Sequence, residues 1–204
     1  QTFVVKSDYN ATKKTKINSE IAVSNNDVNL FSTLDNNNNV ALATKLNWQQ
    51  LLIDKKWQLK STISHEFVQQ NFNTEMGWES VEFNRDWNIL TNDATKNYFQ
   101  SELKLENNND VVLYRFNNLS YPNTFNGSKH EFQSKINLKK TAFYLNSSLL
   151  ANTSTLEDNS FLIANAKIEH NFNKKWLGGF VSLETNSRKN INSKEFINTS
   201  HRFN

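Results

Sequence analysis

Four histidines, His65, His130, His170 and His201, are the side chains whose type best suits proton transfer or metal ligation. Each stands alone, with no second histidine or carboxylate at a spacing that would make a zinc site specific. Glu66 and Glu131 each follow a histidine directly, and Ser64 and Ser200 each precede one. Adjacent residues of a strand point to opposite faces, so none of these couples could cooperate on strands. A His-x-Ser pair, which would put base and nucleophile on one face, does not occur. The four glycines, Gly77, Gly127, Gly178 and Gly179, cannot make a phosphate-cradling loop. With no cysteine there is no thiolate metal site and no disulfide framework. The expectation is a protein without catalytic, cofactor-binding or metal-ligating residues, and not an enzyme.

Charge is equally uninstructive about small ligands. The 23 basic and 20 acidic residues are interleaved and leave a net charge of +3. No single-sign face is available to attract nucleic acid. Lys13-Lys14 with Lys16 is the densest basic cluster and reads as the solvated beginning of a strand. The Asn-x-Ser/Thr sites are expected by chance where 35 of 204 residues are Asn. No stretch approaches the ~20 apolar residues of a membrane helix, and no signal peptide is evident.

The elements that must position these residues announce themselves by a two-residue rhythm. Val40 to Gln49 and Phe132 to Leu138 alternate apolar with polar side chains, which puts each kind on its own face of a strand. The hydrophobic fraction is 37% and the mean hydropathy −0.70, low for a chain with a thick interior. Fifteen Phe, five Trp and five Tyr nevertheless argue for a folded chain. The spacing predicts about eleven strands, near 15–23, 39–50, 56–68, 79–90, 97–106, 111–118, 128–138, 142–152, 160–170, 175–186 and 195–203, and no convincing helix. Asn, Asp, Ser and Thr fill the connections, as does Pro122, the only proline. The expected fold is all-β: an antiparallel up-and-down meander of about 10–12 strands in one domain over 1–204, forming a transmembrane β-barrel or part of one.

Strands of about ten residues with two distinct faces are what a membrane barrel requires, because closure satisfies the backbone and lipid covers the apolar side. Trp48, Trp57, Trp87 and Trp176 are candidate interface aromatics of a girdle. Lys60, Asp86, Glu102 and Lys104 are a candidate polar network of the lumen, continued by Glu131, Lys135, Lys167 and Glu169. In this reading strand 79–90 lies between its neighbours, with Asp86 near Thr62 and Glu102. Arg85 falls in phase with Val81, Phe83 and Trp87, and an Arg facing lipid at mid-depth costs roughly 2–4 kcal/mol. Ser61, Ser134, Ser147 and Ser182 interrupt the apolar faces. Connections alternate long and short at 24–38, 51–55, 69–78 and 91–96, and then 107–110 is short where a long one is due. A soluble periplasmic or surface-exposed β-sheet module, whose open face receives a polymer or protein partner, fits the same alternation.

Ser24-Asn25-Asn26-Asp27-Val28-Asn29-Leu30-Phe31-Ser32-Thr33-Leu34-Asp35, Phe67-Val68-Gln69-Gln70-Asn71-Phe72 and Val81-Glu82-Phe83-Asn84-Arg85-Asp86-Trp87 together resemble a segment of large outer-membrane β-barrel proteins of the Bacteroidota type. The resemblance covers roughly 15–90 and carries no catalytic motif. It implies a fragment of a longer barrel in the outer membrane of a Gram-negative bacterium. It also implies lipid or lipopolysaccharide around the barrel, and protein partners in an outer-membrane complex with a transport, translocon or scaffold role.

Overall fold

The computed structural model describes residues 1–26, 39–73, 82–89, 94–172, 175–193 and 196–203. Eleven antiparallel strands follow one another in a single open sheet ordered as in the chain. They are β1 (Thr2–Thr12), β2 (Thr15–Asn25), β3 (Val40–Asp54), β4 (Gln58–Val68), β5 (Lys96–Glu106) and β6 (Val111–Tyr121), then β7 (Phe125–Leu138), β8 (Thr141–Ser154), β9 (Glu157–Phe172), β10 (Lys175–Asn190) and β11 (Phe196–Phe203). One short helix, α1 (Phe83–Trp87), lies in the connection between β4 and β5.

Two differences from the expected elements compensate in number. β1 is an additional strand, paired along its length with β2 from Thr2↔Ser24 to Thr12↔Thr15. Phe3, Val4 and Val5 are consecutive apolar residues, so the alternation that marks the other strands is blurred there. Lys13 and Lys14 form the turn between β1 and β2. The expected strand at 79–90 is replaced: residues 83–87 are helical, and 79–81 and 90 lie outside the described residues. Phe83, Arg85 and Trp87 satisfy a period of two, but Phe83 and Trp87 also sit one helical turn apart. Their rings pack 6.4 Å apart, and Asn88 in the left-handed region (φ 54°) ends the helix.

Removing that strand restores the loop order. Connections at one end of the sheet are 13–14, 55–57, 107–110, 139–140 and 173–174, all short. At the other end they are 26–39, 69–95, 122–124, 155–156 and 191–195, which include the two long ones. Asn residues build several turns in the manner expected of their side chains. Asn107 Oδ1 accepts from the backbone N–H of Asn109 and Asp110, and Asn190 Oδ1 accepts from those of Asn192 and Ser193. Asp110, in the first of these turns, accepts the backbone N–H of Asn137 at 2.7 Å. That bond and the amide of Asn107 hold its carboxyl below the usual carboxylate range.

Strand spacing explains one glycine. A Cβ on Gly178 would lie 2.7 Å from the carbonyl oxygen of Ile168 on β9, whereas one on Gly179 would meet nothing within 4 Å. Gly178→Ala is expected to cost about 1–3 kcal/mol, because backbone must shift, and Gly179→Ala less than about 0.5 kcal/mol. Denaturant midpoints of the two variants check this, and equal midpoints would contradict it.

Candidate functional site: a polar face crossed by a folded-in connection

Cross-strand partners share a face, so the register sorts every strand residue. One face carries Phe3, Ile21, Leu46, Ile63, Leu103, Phe116, Phe132, Leu145, Ile168 and Val181, one or more from each strand β1 to β10. No described residue covers it, and its large side chains are exposed or half-buried. Among the described residues, its only lysine, arginine or carboxylate side chains on strands are Asp158, Lys175 and Lys189. All three lie within two residues of a strand end, and Asp158 and Lys189 are register partners.

The opposite face is polar and holds every interstrand ion pair of the described residues. Arg115 on β6 is the centre of one cluster. Its guanidinium reaches Glu102 of β5 through Nε (2.9 Å) and Nη2 (2.6 Å), and Glu131 of β7 through Nη1 (3.4 Å). Glu131 also accepts from the side-chain amide of Asn117, whose Oδ1 accepts the Tyr98 hydroxyl. Glu106 is the centre of a second cluster. Lys60 and Lys104 are direct register partners, and the repulsion this implies is relieved by Glu106, 2.6 Å from each ammonium. Glu66 likewise bridges Lys45 and Lys96, and Glu157 pairs with Arg188.

The expected network therefore keeps Lys60, Glu102 and Lys104 on one face and loses Asp86. β4 pairs directly with β5, with Thr62 opposite Glu102, so no strand containing Asp86 lies between them. Asp86 belongs to α1, where its N–H donates to the carbonyl of Glu82. Arg85 is also on α1, exposed and paired with Glu82 at 2.8 Å, which removes the cost of an arginine in lipid. Arg115 was not singled out by the sequence; its signal was the row Glu102, Arg115, Glu131 on three successive strands. Arg115→Leu leaves two half-buried carboxylates facing each other. It is expected to cost roughly 1–2 kcal/mol, between the limits for exposed and buried pairs, with Arg115→Lys intermediate. Thermal unfolding of both variants tests this; an Arg115→Leu variant as stable as wild type would refute it.

The tryptophans divide. Trp48 lies on the apolar face opposite Ile17 and Ile63, and Trp57 is in the 55–57 turn at the short-turn end. Trp176 is on the polar face, opposite Asn171. Trp87 is 3% exposed and points into the protein, so it is not a girdle residue. Ser61, Ser134 and Ser147 are on the apolar face as expected; Ser182 is on the polar one, donating to Asn165 Oδ1 at 2.6 Å. All four histidines stand on the apolar face of separate strands, His65 on β4, His130 on β7, His170 on β9 and His201 on β11. His130 shares a hydrogen bond with Tyr114, and His170 with Thr141. Glu66 and Glu131, their sequence neighbours, face the other way. Among the described residues no group of three or more metal-ligating side chains is assembled.

The long connection 69–95 lies over the polar face in its described parts, residues 69–73 and 82–89. Its first part crosses toward β1 and β2: Asn73 N–H donates to the buried Ser24 hydroxyl at 3.1 Å, and Thr2 donates to the Asn73 carbonyl. Its helix lands on the other half. Trp87 packs with Leu119, Tyr121, Phe125 and Leu150, polar-face residues of β6, β7 and β8, and Phe83, Ile89, Tyr98 and Phe161 join them. The buried Asn152 side chain donates to the Trp87 carbonyl at 2.8 Å and accepts from Asn159. This cluster explains why the polar face turns apolar near its long-connection end. A five-residue helix touches both Tyr98 on β5 and Asn152 on β8, strands three spacings or roughly 14 Å apart.

Comparison with protein-family models, curated proteins and solved structures finds no match. No helix among the described residues is long and apolar enough to cross a membrane, which leaves strands untouched as membrane-crossing elements.

Proposed function

We propose that the chain forms part of the wall of an outer-membrane β-barrel, with its apolar face toward lipid and its ion-paired face lining a hydrated conduit. In this reading the folded-in connection with α1 narrows the conduit, and the role is transport or translocation within a larger envelope complex. The observation that carries it is the segregation of charge. Among the described residues of ten strands, one face holds every interstrand ion pair, while the other has lysine, arginine and carboxylate side chains only at its margins.

Magnitudes favour lipid over water for that face. Ten strand spacings of about 4.8 Å and an apolar band of roughly 20–25 Å give on the order of 1,000 Å². Typical soluble monomers expose at most about 300–600 Å² in one patch. The band has the height of a bilayer. On β8 it runs from Phe143 to Ala151, about 27 Å along the strand and about 21 Å across a membrane at a barrel tilt of ~40°. Toward the long-connection end the same face becomes Asn97, Asn118, Ser128, Thr153 and Asp158, as where strands outrun a membrane into water.

The natural absence of cysteine makes the test direct. Single cysteines are placed at each residue from 143 to 149 of β8 in cells that make the protein, and a membrane-impermeant thiol reagent is applied to opened envelopes. Reactivity at 144, 146 and 148 with protection at 143, 145, 147 and 149 is expected. Protection that vanishes without lipid extraction, in buffer-soluble protein, would favour the soluble binding module and defeat the membrane reading.

A further inference from the structure

The polar face has a second apolar feature, at the end away from α1. Trp176 and Phe180 stand on this face of β10, 75% and 73% exposed, where their neighbours are Asn171, Glu169 and Lys167. Between them Gly178 offers no side chain, and the close approach of β9 forbids one. Beside Trp176 is a cavity of about 420 Å³ with Asn137, Glu169 and Asn171 on its walls and Lys139 and Lys140 of the β7–β8 turn at its rim.

The polar groups here are held in place. Glu169 accepts from Lys167 at 2.6 Å and from the Tyr144 hydroxyl, and the Lys135 and Lys167 ammonium groups lie 5.7 and 5.4 Å from the Tyr144 ring centre. Phe180, Lys167, Tyr144 and Lys135 form one row across four strands. The site thus combines an open indole face, planar amides and a fixed carboxylate, and its lysines outnumber its carboxylate. A pyranose ring matches this chemistry. Its C–H face packs on an indole, and its hydroxyl edge bonds to amides and carboxylates. A lipid tail would leave the amides and lysines unsatisfied, and a cationic ligand would meet the lysine excess.

We propose that this corner of the polar face binds an acidic saccharide ring, stacked on Trp176, with hydroxyls to Asn137, Asn171 and Glu169 and its acid group toward Lys139 and Lys140. Phe180 continues the track inward along β10. Binding is independent of whether the opposite face meets lipid, so the cysteine experiment above and the one below fail separately.

The test is calorimetric titration of the full chain in detergent micelles with hexamers of galacturonate and of alginate, with maltohexaose and uridine monophosphate as controls. At least one acidic hexamer is expected to bind at least tenfold more tightly than either control. Trp176→Ala should weaken it tenfold or more and Trp176→Phe restore most of the loss. Lys139→Gln with Lys140→Gln should remove the preference for the acidic hexamer over maltohexaose. Because these side chains are on the surface, circular dichroism should be unchanged in each variant. Absence of binding by both acidic hexamers, equal binding of maltohexaose or uridine monophosphate, or a Trp176→Ala variant that binds like wild type would each overturn the proposal.

Discussion

In lipid vesicles Leu145→Arg is expected to destabilise the folded protein by about 2–4 kcal/mol, while Asn146→Arg, its immediate neighbour, changes stability by less than about 1 kcal/mol. Leu145 is near the middle of the apolar run on β8, opposite Ser134 and Ala166; Asn146 faces the other way, opposite Gln133 and Asn165. In lipid the first substitution places a guanidinium at mid-depth, where only snorkelling or local thinning can hydrate it. The second adds one more cation to a face that already holds both signs. The contrast decides between media because water reverses it. Leu145 is half-exposed, and a half-exposed Leu→Arg change on a solvated sheet would be close to neutral. Urea unfolding of protein reconstituted in vesicles, followed by tryptophan fluorescence, measures the difference. Equal midpoints for the two variants would remove lipid from the apolar face.

The fold was legible where apolar and polar residues alternate and illegible where two periods coincide. Along β8 and β9, Phe143, Leu145 and Leu149 and then Leu162, Ala164, Ala166 and Ile168 define a face unambiguously, and the structure pairs them as that pattern requires. Phe83, Arg85 and Trp87 do not have that property, because a segment so short meets a period of two and an i, i+4 pair at once. What decides it is tertiary: Trp87 has an apolar socket in Leu119, Tyr121, Phe125 and Leu150, which no local pattern reveals. The displaced strand then carried Asp86 and Arg85 into positions that they do not occupy. β1 escaped notice for the converse reason, since Phe3-Val4-Val5 has no alternation to read and its partner Ile21-Ala22-Val23 supplies the order.

The site was legible in part for the same reason. Lys60, Glu102 and Lys104 could be placed on one face from their own strands, but their partners depend on register. Thr62 rather than Asp86 stands opposite Glu102, so Glu102 turns to Arg115 on the other side. Glu106, which joins Lys60 to Lys104, lies at the last position of β5 and had no reason to be singled out before that register was known. The placement of Trp176 is a matter of parity. Trp176 and Phe180 follow the even positions of β10, whereas Leu177, Val181 and Leu183 follow the odd ones and share the apolar face. An aromatic on the even set is therefore on the polar side.

Trp87→Ala is expected to release α1 from the polar face and, in a conduit, to raise single-channel conductance in planar bilayers severalfold. Replacing a fully buried indole by a methyl costs about 3–5 kcal/mol. That loss falls on the connection and not on the sheet, whose strands are joined by their own hydrogen bonds. A five-residue helix has no stability of its own in water, so what holds α1 is its packing and the bond from Asn152 to the Trp87 carbonyl. Removing an anchor of 3–5 kcal/mol shifts the docked-to-released ratio by a factor on the order of 10² to 10⁴, enough to empty a docked state held by a few kcal/mol. Asn152→Leu should act in the same direction and more weakly, about 1–3 kcal/mol, because the Trp87 carbonyl and the Asn159 amide each lose a buried partner. Limited proteolysis within 82–89 reads the release independently of current, and circular dichroism reports whether the strands persist. A Trp87→Ala variant with new cleavage at 82–89 but unchanged conductance would show that the connection does not narrow a conduit. Unchanged cleavage as well would show that Trp87 is not what holds it there.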